Sequence, residues 1–264
     1  MKIQIEDRVF VITGGGNGMG RQVVLEFARR GARVAAVDLN EAGLAETVRL
    51  AGSAAHVSAH RVNVTDREAV RALVEEIVRA HGQVDGVINI AGIIHRFVDF
   101  EQLSVEETER IMMVNFWGTV NVTRAFLPAL RKRPASILVN MASLAALVPF
   151  AGQTFYGASK GAVKQFSEGL HAELMDTNVT VSAIFPGNIS TNLTGNSGVK
   201  MIDAKGKRVR STTPEAAGRE IVDGILKGRF RILVGSDARL LDKLERLAPR
   251  WTTRMVAKQM KSVL

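Results

Sequence analysis

The stretch Val9-Phe10-Val11-Ile12-Thr13-Gly14-Gly15-Gly16-Asn17-Gly18-Met19-Gly20 constrains this chain more than any other. Val9 to Ile12 form a short unbroken apolar run, the pattern of a strand covered on both faces in a parallel sheet. Thr13 closes the run. Gly14, Gly18 and Gly20 then fall where a chain turning from strand into helix lets a diphosphate approach its backbone. The helix that follows offers free N–H groups and the positive end of its dipole. It is predicted over Met19–Arg30, with Gly31 as its C-terminal stop. The spacing Gly14-x-x-x-Gly18-x-Gly20 matches G-x-G-x-x-G in no register, but a buried strand, a glycine turn and a helix N-terminus together imply a nucleotide site.

A second apolar strand is read at Arg33–Leu39, with Asp38 at its C-terminal end. An acid about 20 residues beyond the glycines accepts hydrogen bonds from the adenosine ribose hydroxyls, and its charge repels a 2′-phosphate. Neither Asn17 nor Leu39 is a cation that binds such a phosphate. The expected cofactor is therefore NAD rather than NADP.

Further strands are read at His56–Asn63, Gly86–Asn89, Ser136–Met141, Thr180–Phe185 and Arg231–Val234, with helices between them. Thr65-Asp66-Arg67-Glu68 and Ser104-Val105-Glu106-Glu107 read as capping boxes. The first opens a helix to about His81; the second opens one long helix toward Arg131, with Asn115 near its middle and Pro128 ending or bending it. A helix over Phe155–Asp176 carries Tyr156 and Lys160, and Thr213-Pro214 starts another. Strands alternating with helices mean a parallel sheet with helices on both faces, a single doubly wound α/β domain of the Rossmann type over residues 1–264. Asn188–Ser211 lacks periodicity and reads as a lid over the ligand-binding edge. Arg250–Leu264 reads as an amphipathic helix, its apolar face docked or resting on an anionic membrane surface.

Composition excludes several function classes. With 46% hydrophobic residues a sizeable core is available, and with no cysteine there is no disulfide framework, thiolate metal site or cysteine nucleophile. No metal is expected. Met1 to Arg8 is charged and lacks an apolar leader, and no stretch offers about 18 uninterrupted apolar residues, so a cytoplasmic protein is expected. The formal net charge of +9 gathers late in the chain without interleaved aromatic residues, which argues against nucleic acid as a partner.

Chemistry concentrates in Tyr156 and Lys160, four residues apart and so neighbours on one helix face. A free phenol titrates near 10, and an adjacent ammonium favours the phenolate, so Tyr156 is expected to shift downward and exchange a proton near neutral pH. Ser143 follows the strand Ser136–Met141 at the carboxyl end, where ligands of open α/β sheets bind.

Taken in order, Thr13-Gly14-x-x-x-Gly18-x-Gly20, Asn89-x-Ala91-Gly92, Asn115, Ser143, Tyr156-x-x-x-Lys160 and Pro186-Gly187 make the chain resemble the short-chain dehydrogenase/reductase family over nearly its whole length. The resemblance implies a nicotinamide cofactor and a catalytic tetrad of Asn115, Ser143, Tyr156 and Lys160. Tyr156 would exchange a proton with the substrate oxygen, and Ser143 would orient that oxygen. Lys160 would lower the phenol pKa and bind the nicotinamide ribose, and Asn115 would hold a water leading to solvent. The cofactor residues it implies are Thr13, Gly14, Asn17, Gly18, Met19, Gly20, Asp38, Leu39, Asn63, Val64, Asn89, Ala91, Gly92, Tyr156, Lys160, Pro186, Gly187, Ile189 and Thr191. Two positions depart from the family pattern. Asn63 stands where an aspartate usually meets the adenine amino group, and Ile90 replaces the second asparagine of Asn-Asn-Ala-Gly.

The expected reaction is hydride transfer between NAD and an apolar secondary alcohol or ketone, steroid-like or long-chain. A 3-hydroxyacyl or 3-oxoacyl thioester is the alternative, with Lys200, Lys205, Lys207, Arg208 and Arg210 beside the lid to meet its phosphate. A dinucleotide-sensing binding protein is the alternative of another class, and an intact tetrad argues against it. The resemblance also implies a homodimer or homotetramer.

Overall fold

The computed structural model describes residues 5–52, 56–190 and 211–261. Seven strands form one parallel sheet: β1 (Val9–Thr13), β2 (Arg33–Asp38), β3 (Val57–Arg61), β4 (Gly86–Asn89), β5 (Ser136–Met141), β6 (Val179–Pro186) and β7 (Arg231–Val234). Their spatial order is β3-β2-β1-β4-β5-β6-β7. β1 pairs with β2 on one side and β4 on the other, Thr13 lying opposite both Val37 and Asn89. The strand order reverses there, which opens a crevice at the carboxyl ends of β1 and β4.

The alternation of side chains along β1 sorts the core into two layers. Phe10 and Ile12 face α1 (Gly18–Arg29) and α7 (Pro214–Leu226), packing with Val23, Phe27, Ile221 and Ile225. Val9 and Val11 face the other way, toward Leu73 and Ile77 of α3 (Arg67–His81) and Phe126 and Leu130 of α5 (Gly118–Arg131). Both faces of the strand are fully buried, as its unbroken apolar run requires. The remaining helices are α2 (Glu41–Ala51), α4 (Val105–Met112), α6 (Thr154–Leu174), α8 (Ser236–Leu247) and α9 (Pro249–Lys261). Among the described residues no helix is long and apolar enough to cross a membrane.

Several local expectations are corrected. The long helix toward Arg131 is three pieces, because a π-helical turn at Met113–Trp117 separates α4 from α5. The turn's wider winding turns Asn115 fully inward. Pro128 does not end α5, which runs on to Arg131. The Ser104 capping box is present, but α3 is capped by Asp66, which accepts from the Glu68 and Ala69 amides. Thr65 donates to Asn63 instead. The helix α8 was not predicted.

α9 docks on its own chain. Val256 is buried, and Met255 and Met260 pack with it against Leu144, Val148 and Ala238. The apolar side expected to meet a partner or a bilayer is thus largely spent inside the molecule, although Trp251 stays exposed. The segment read as a lid leaves and returns through one point: Ile189 bridges Thr212, and the Ser190 and Ser211 hydroxyls are 2.7 Å apart. Residues 191–210, with Thr191 and the cations from Lys200 to Arg210, lie outside the described residues.

Among the described glycines, Gly20 has the least room for a side chain. A Cβ there would stand 1.9 Å from the Gly14 carbonyl oxygen, backbone against backbone. Gly20→Ala is predicted to lower the melting temperature and to weaken dinucleotide binding at least tenfold, measured by thermal melts and by NADH fluorescence titration. Wild-type values for both would contradict this packing.

Candidate active site

The crevice at β1 and β4 is built around main-chain groups. Gly14 adopts φ 71°, and a Cβ on it would come within 2.9 Å of the Ala91 nitrogen. Thr13 Oγ1 accepts from the Ile90 and Ala91 amides at 3.0 and 3.2 Å, locking the end of β1 to the loop after β4. Asn17 caps α1, its side chain accepting from the Gly18 amide at 2.7 Å, so Gly18, Met19 and Gly20 form the first turn of the helix. Asp38 accepts from the Gly16 and Asn40 amides, both at 2.9 Å, beside the exposed Leu39. Each carboxylate oxygen keeps a further lone pair for a ribose hydroxyl. A side chain on Gly16 would meet the Asp38 carboxylate at 2.9 Å, so this glycine lets the acid reach the turn.

Gly16, Arg21 and Thr47 escaped the sequence reading. Arg21 donates to the carbonyls of Gly16 and Gly43 at 2.5 and 3.2 Å and to Thr47 Oγ1 at 3.0 Å. Thr47 in turn donates to the Gly15 carbonyl. The signal was an arginine in the first turn of a helix, where the dipole disfavours a cation unless carbonyls hold it.

Other expected cofactor residues divide. Val64 is buried, its carbonyl accepting from Asn121 Nδ2 at 3.1 Å. Asn63 uses its side-chain oxygen on the amide and hydroxyl of Thr65, at 3.0 and 2.9 Å. Asn89 points into the core, donating to Thr123 and Asn140, and Asn140 donates onward to Ser167. Pro186 ends β6, and Gly187 donates to the Val234 carbonyl so close to Asp237 that a Cβ would stand 2.3 Å from its carboxylate. Ile189 packs on the core layer of α1.

The four tetrad residues come together. Ser143 follows β5 in extended backbone, accepting from the Ala145 amide, and stands near enough to Tyr156 to draw its phenol pKa down. Lys160 lies one helical turn on, buried, donating to the Met141 carbonyl at 3.0 Å. Asn115 is a clamp: its Oδ1 accepts from the Ile93 amide at 2.8 Å, and its Nδ2 donates to the Ile93 carbonyl and to Ser159 Oγ, both at 3.0 Å. Ser159 donates to the Tyr156 carbonyl at 2.7 Å. A Cβ on Gly92 would sit 3.1 Å from both Asn115 Oδ1 and Lys160 Nζ, so the loop after β4 lies directly against the tetrad.

The Tyr156 phenol shifts opposite to the expected direction. Burial pushes its phenol above the ordinary 10, and only the nearby Ser143 hydroxyl opposes it. The ammonium does not counter this, because Lys160 Nζ is turned to Met141 and stands 6.0 Å from the phenol ring centre. Burial lowers Lys160 itself from 10.5 to about 8. The group of this pair that titrates nearest neutrality is therefore the lysine.

A sequence model of short chain dehydrogenases matches residues 8–201. The chain belongs to the short-chain dehydrogenase/reductase family. This family member is 37% identical to SadH of Mycobacterium tuberculosis over 262 residues, 96% of this chain and 95% of that one. It is 34% identical over 193 residues to the 3-oxoacyl-[acyl-carrier-protein] reductase of Thermotoga maritima, covering 73% of this chain and 78% of the relative. A short-chain dehydrogenase/reductase of Burkholderia phymatum, solved with NAD, superposes with a TM-score of 0.82 at 25% identity, covering 93% of this chain and 96% of that one. The chain is accordingly an oxidoreductase with a Rossmann-like nucleotide-binding fold.

Lys160 costs this family member stability. The native group titrates near 8 and the unfolded one near 10.5, so the unfolded chain holds more protons between those values and stability rises with pH across them. Below pH 8 the buried charge costs on the order of 3 kcal/mol. Lys160→Met is predicted to raise the melting temperature of the ligand-free protein at pH 7, with a gain that shrinks by pH 10. A gain independent of pH would contradict this.

Proposed function

We propose that the chain is an NAD-dependent oxidoreductase that moves a hydride between the nicotinamide and the carbinol carbon of an apolar secondary alcohol or the corresponding ketone. The observation that carries this reading is the gathering of Ser143, Tyr156 and the buried Lys160 at the carboxyl end of β5, with Lys160 donating to the Met141 carbonyl. The apolar residues Leu144 and Phe155 stand next in sequence to Ser143 and Tyr156, which supports an apolar substrate. We take that substrate to be steroid-like or long-chain.

The residues fit the cofactor, since the glycine turn runs straight into the first turn of α1 and the Asp38 carboxylate is held beside that turn by the Gly16 amide. Thr13 to Gly20 would hold the diphosphate, Asp38 the adenosine ribose, and Lys160 the nicotinamide ribose. When bound, the cofactor supplies the hydride acceptor or donor. Tyr156 exchanges a proton with the substrate oxygen at its Oη, and the Ser143 hydroxyl holds that oxygen in line. Lys160 places a positive charge behind the phenol and, titrating near 8, can pass a proton onward in the working pH range. Asn115 positions the pair through Ile93 and Ser159. The whole chain acts as one domain in a cytoplasmic homodimer or homotetramer.

A second reading has its own support. The likeness to the Thermotoga maritima reductase favours a 3-hydroxyacyl or 3-oxoacyl thioester as substrate.

The test is reduction of NAD and NADP across secondary alcohols, hydroxysteroids and 3-hydroxyacyl thioesters. Turnover on alcohols or steroids with NAD supports the first reading; turnover on thioesters alone supports the second. No turnover on any class would overturn both and leave a nucleotide-binding protein. Asp38→Ser is predicted to weaken NAD binding about tenfold or more, as loss of a charged hydrogen-bond acceptor does, and to narrow the preference over NADP. Tighter NADP than NAD binding in the wild type would contradict the role of Asp38.

A further inference from the structure

Among the described residues Leu247 is the most exposed large apolar side chain, at 83%, and it stands where α8 turns into α9. Leu240, two helical turns before it, is 57% exposed, and Trp251, in the first turn of α9, is 56% exposed. Only Ala248 lies between the two helices. Its amide donates to the Leu244 carbonyl at 2.8 Å and its carbonyl accepts from the Thr252 amide at 2.9 Å, so the corner is tight. The helical period gives each helix an inner and an outer side. On α8 the buried Ala238 and Asp242 mark the inner side, and Leu240, Lys243 and Leu247 recur on the outer one. On α9 the buried Thr252 and Val256 are inner, and Trp251, Arg254 and Lys258 are outer, with Arg250 beside them. Ala238 and Val256 enter one cluster with Leu144 and Val148. Both outer stripes therefore look away from the same part of the core, on one flank of the molecule, opposite the apolar side that α9 spends on that cluster.

This flank is cationic. Lys243, Arg250, Arg254 and Lys258 are exposed, and none of them has an ion-pair partner among the described residues, whereas Arg239 pairs with Glu220 and Arg246 with Asp242. The acids of the same helices are engaged elsewhere. Asp242 is buried against Arg231 and Arg246, Asp237 accepts the Asn188 amide at 2.6 Å, and Glu245 follows Ala238 by seven residues, on the inner side. Protruding apolar side chains among uncompensated cations fit a partner with an anionic surface over an apolar interior. Two other covers lack the complementary charge. A second copy meeting this flank patch on patch sets cations against cations, and residues 191–210 carry Lys200, Lys205, Lys207, Arg208 and Arg210 against Asp203 alone. An acidic protein segment matches the charge but receives apolar anchors in grooves, and here the apolar groups stand out from a helix corner.

We propose that the outer flank of α8 and α9 docks on an anionic lipid surface, with Leu247 and Trp251 entering the headgroup region and Lys243, Arg250, Arg254 and Lys258 meeting lipid phosphates. A tryptophan ring is at home at that depth, and lysine and arginine stems lie along the apolar layer while their charged ends stay at the phosphates. Each cation held near such a surface strengthens binding about fivefold. The contact is a reversible seating by a helix corner; no described helix is long and apolar enough to cross the membrane.

The test is co-sedimentation of the full chain with vesicles of phosphatidylcholine and phosphatidylglycerol in about a 2:1 ratio, against vesicles of phosphatidylcholine alone. The wild type is expected to partition about tenfold or more in favour of the mixed vesicles. Arg254→Gln with Lys258→Gln should weaken that partition about tenfold or more, while loss of the same charge at the exposed end of α5, in Arg131→Gln with Lys132→Gln, should change it less than about threefold. Leu247→Ser with Trp251→Ala leaves the charge untouched and should also weaken it about tenfold. Binding to neither vesicle would overturn the docking site. An equal loss in the α5 control would overturn it too, reducing the effect to the net charge of +9. Fluorescence locates the contact, because the chain has two tryptophans and Trp117→Phe leaves Trp251 as the reporter. Its emission should move to shorter wavelength on the mixed vesicles; emission that stays fixed while the protein is bound overturns the proposal. Should Trp117→Phe fail to fold, the charge and apolar variants decide alone. Sedimentation velocity without lipid covers the remaining occupant: self-association that is lost in Leu247→Ser with Trp251→Ala would seat a second copy on this flank and overturn the lipid reading.

Discussion

Gly20 resting against the carbonyl of Gly14 is the contact on which the rest of the molecule depends. No side chain can occupy a space in which a Cβ would stand 1.9 Å from a backbone oxygen. That approach lets α1 begin directly beneath the end of β1. Thr13 can then reach the loop after β4, and Asp38 can reach the amide of Gly16. Arg21 and Thr47 fasten the same turn from the side of α2. The crevice is consequently preorganised: its donors and acceptors are held by main-chain geometry before any ligand arrives, which limits the ordering cost of binding.

The proton-transfer end depends on burial in the opposite sense. Taking Lys160 and the Tyr156 hydroxyl out of water favours the neutral form of each. A fold selected for stability alone would place an apolar residue at position 160. A buried lysine titrating near 8 is the kind of perturbed group that marks a functional site rather than a stabilising one. Asn115 makes this arrangement rigid. The π turn aims it at the backbone of Ile93 and at Ser159, so the loop after β4 and the tyrosine helix are tied together.

The parts of this architecture written in local pattern were legible in the sequence. Apolar strands, glycine stops and the Ser104 capping box each act over a few residues, and the tetrad shares one sequence order with a well-marked family. What depended on tertiary contacts was not legible. Nothing in the periodicity of residues 105–131 distinguishes a continuous helix from one opened by a π turn around Asn115. Asn63 and Asn89 carry the same side chain, yet one closes a surface turn and the other joins a buried chain of amides and hydroxyls. The direction of the Tyr156 shift failed for a similar reason: helical spacing put Lys160 nearby, but its rotamer, turned to the Met141 carbonyl, decides the electrostatics. The helix α8 was hidden because its mostly charged face masks the few residues, such as Ala238, that enter the core.

The central claim is that Tyr156 exchanges the proton while the surrounding site binds the dinucleotide independently of that hydroxyl. Single-turnover oxidation of NADH by a ketone substrate, compared between wild type and Tyr156→Phe at matched NADH saturation, tests this most directly. NADH affinity is predicted to hold within a fewfold, while the rate of hydride transfer falls by about a hundredfold or more, the usual contribution of a positioned acid–base group. A Tyr156→Phe variant that transfers hydride at near the wild-type rate would contradict the account.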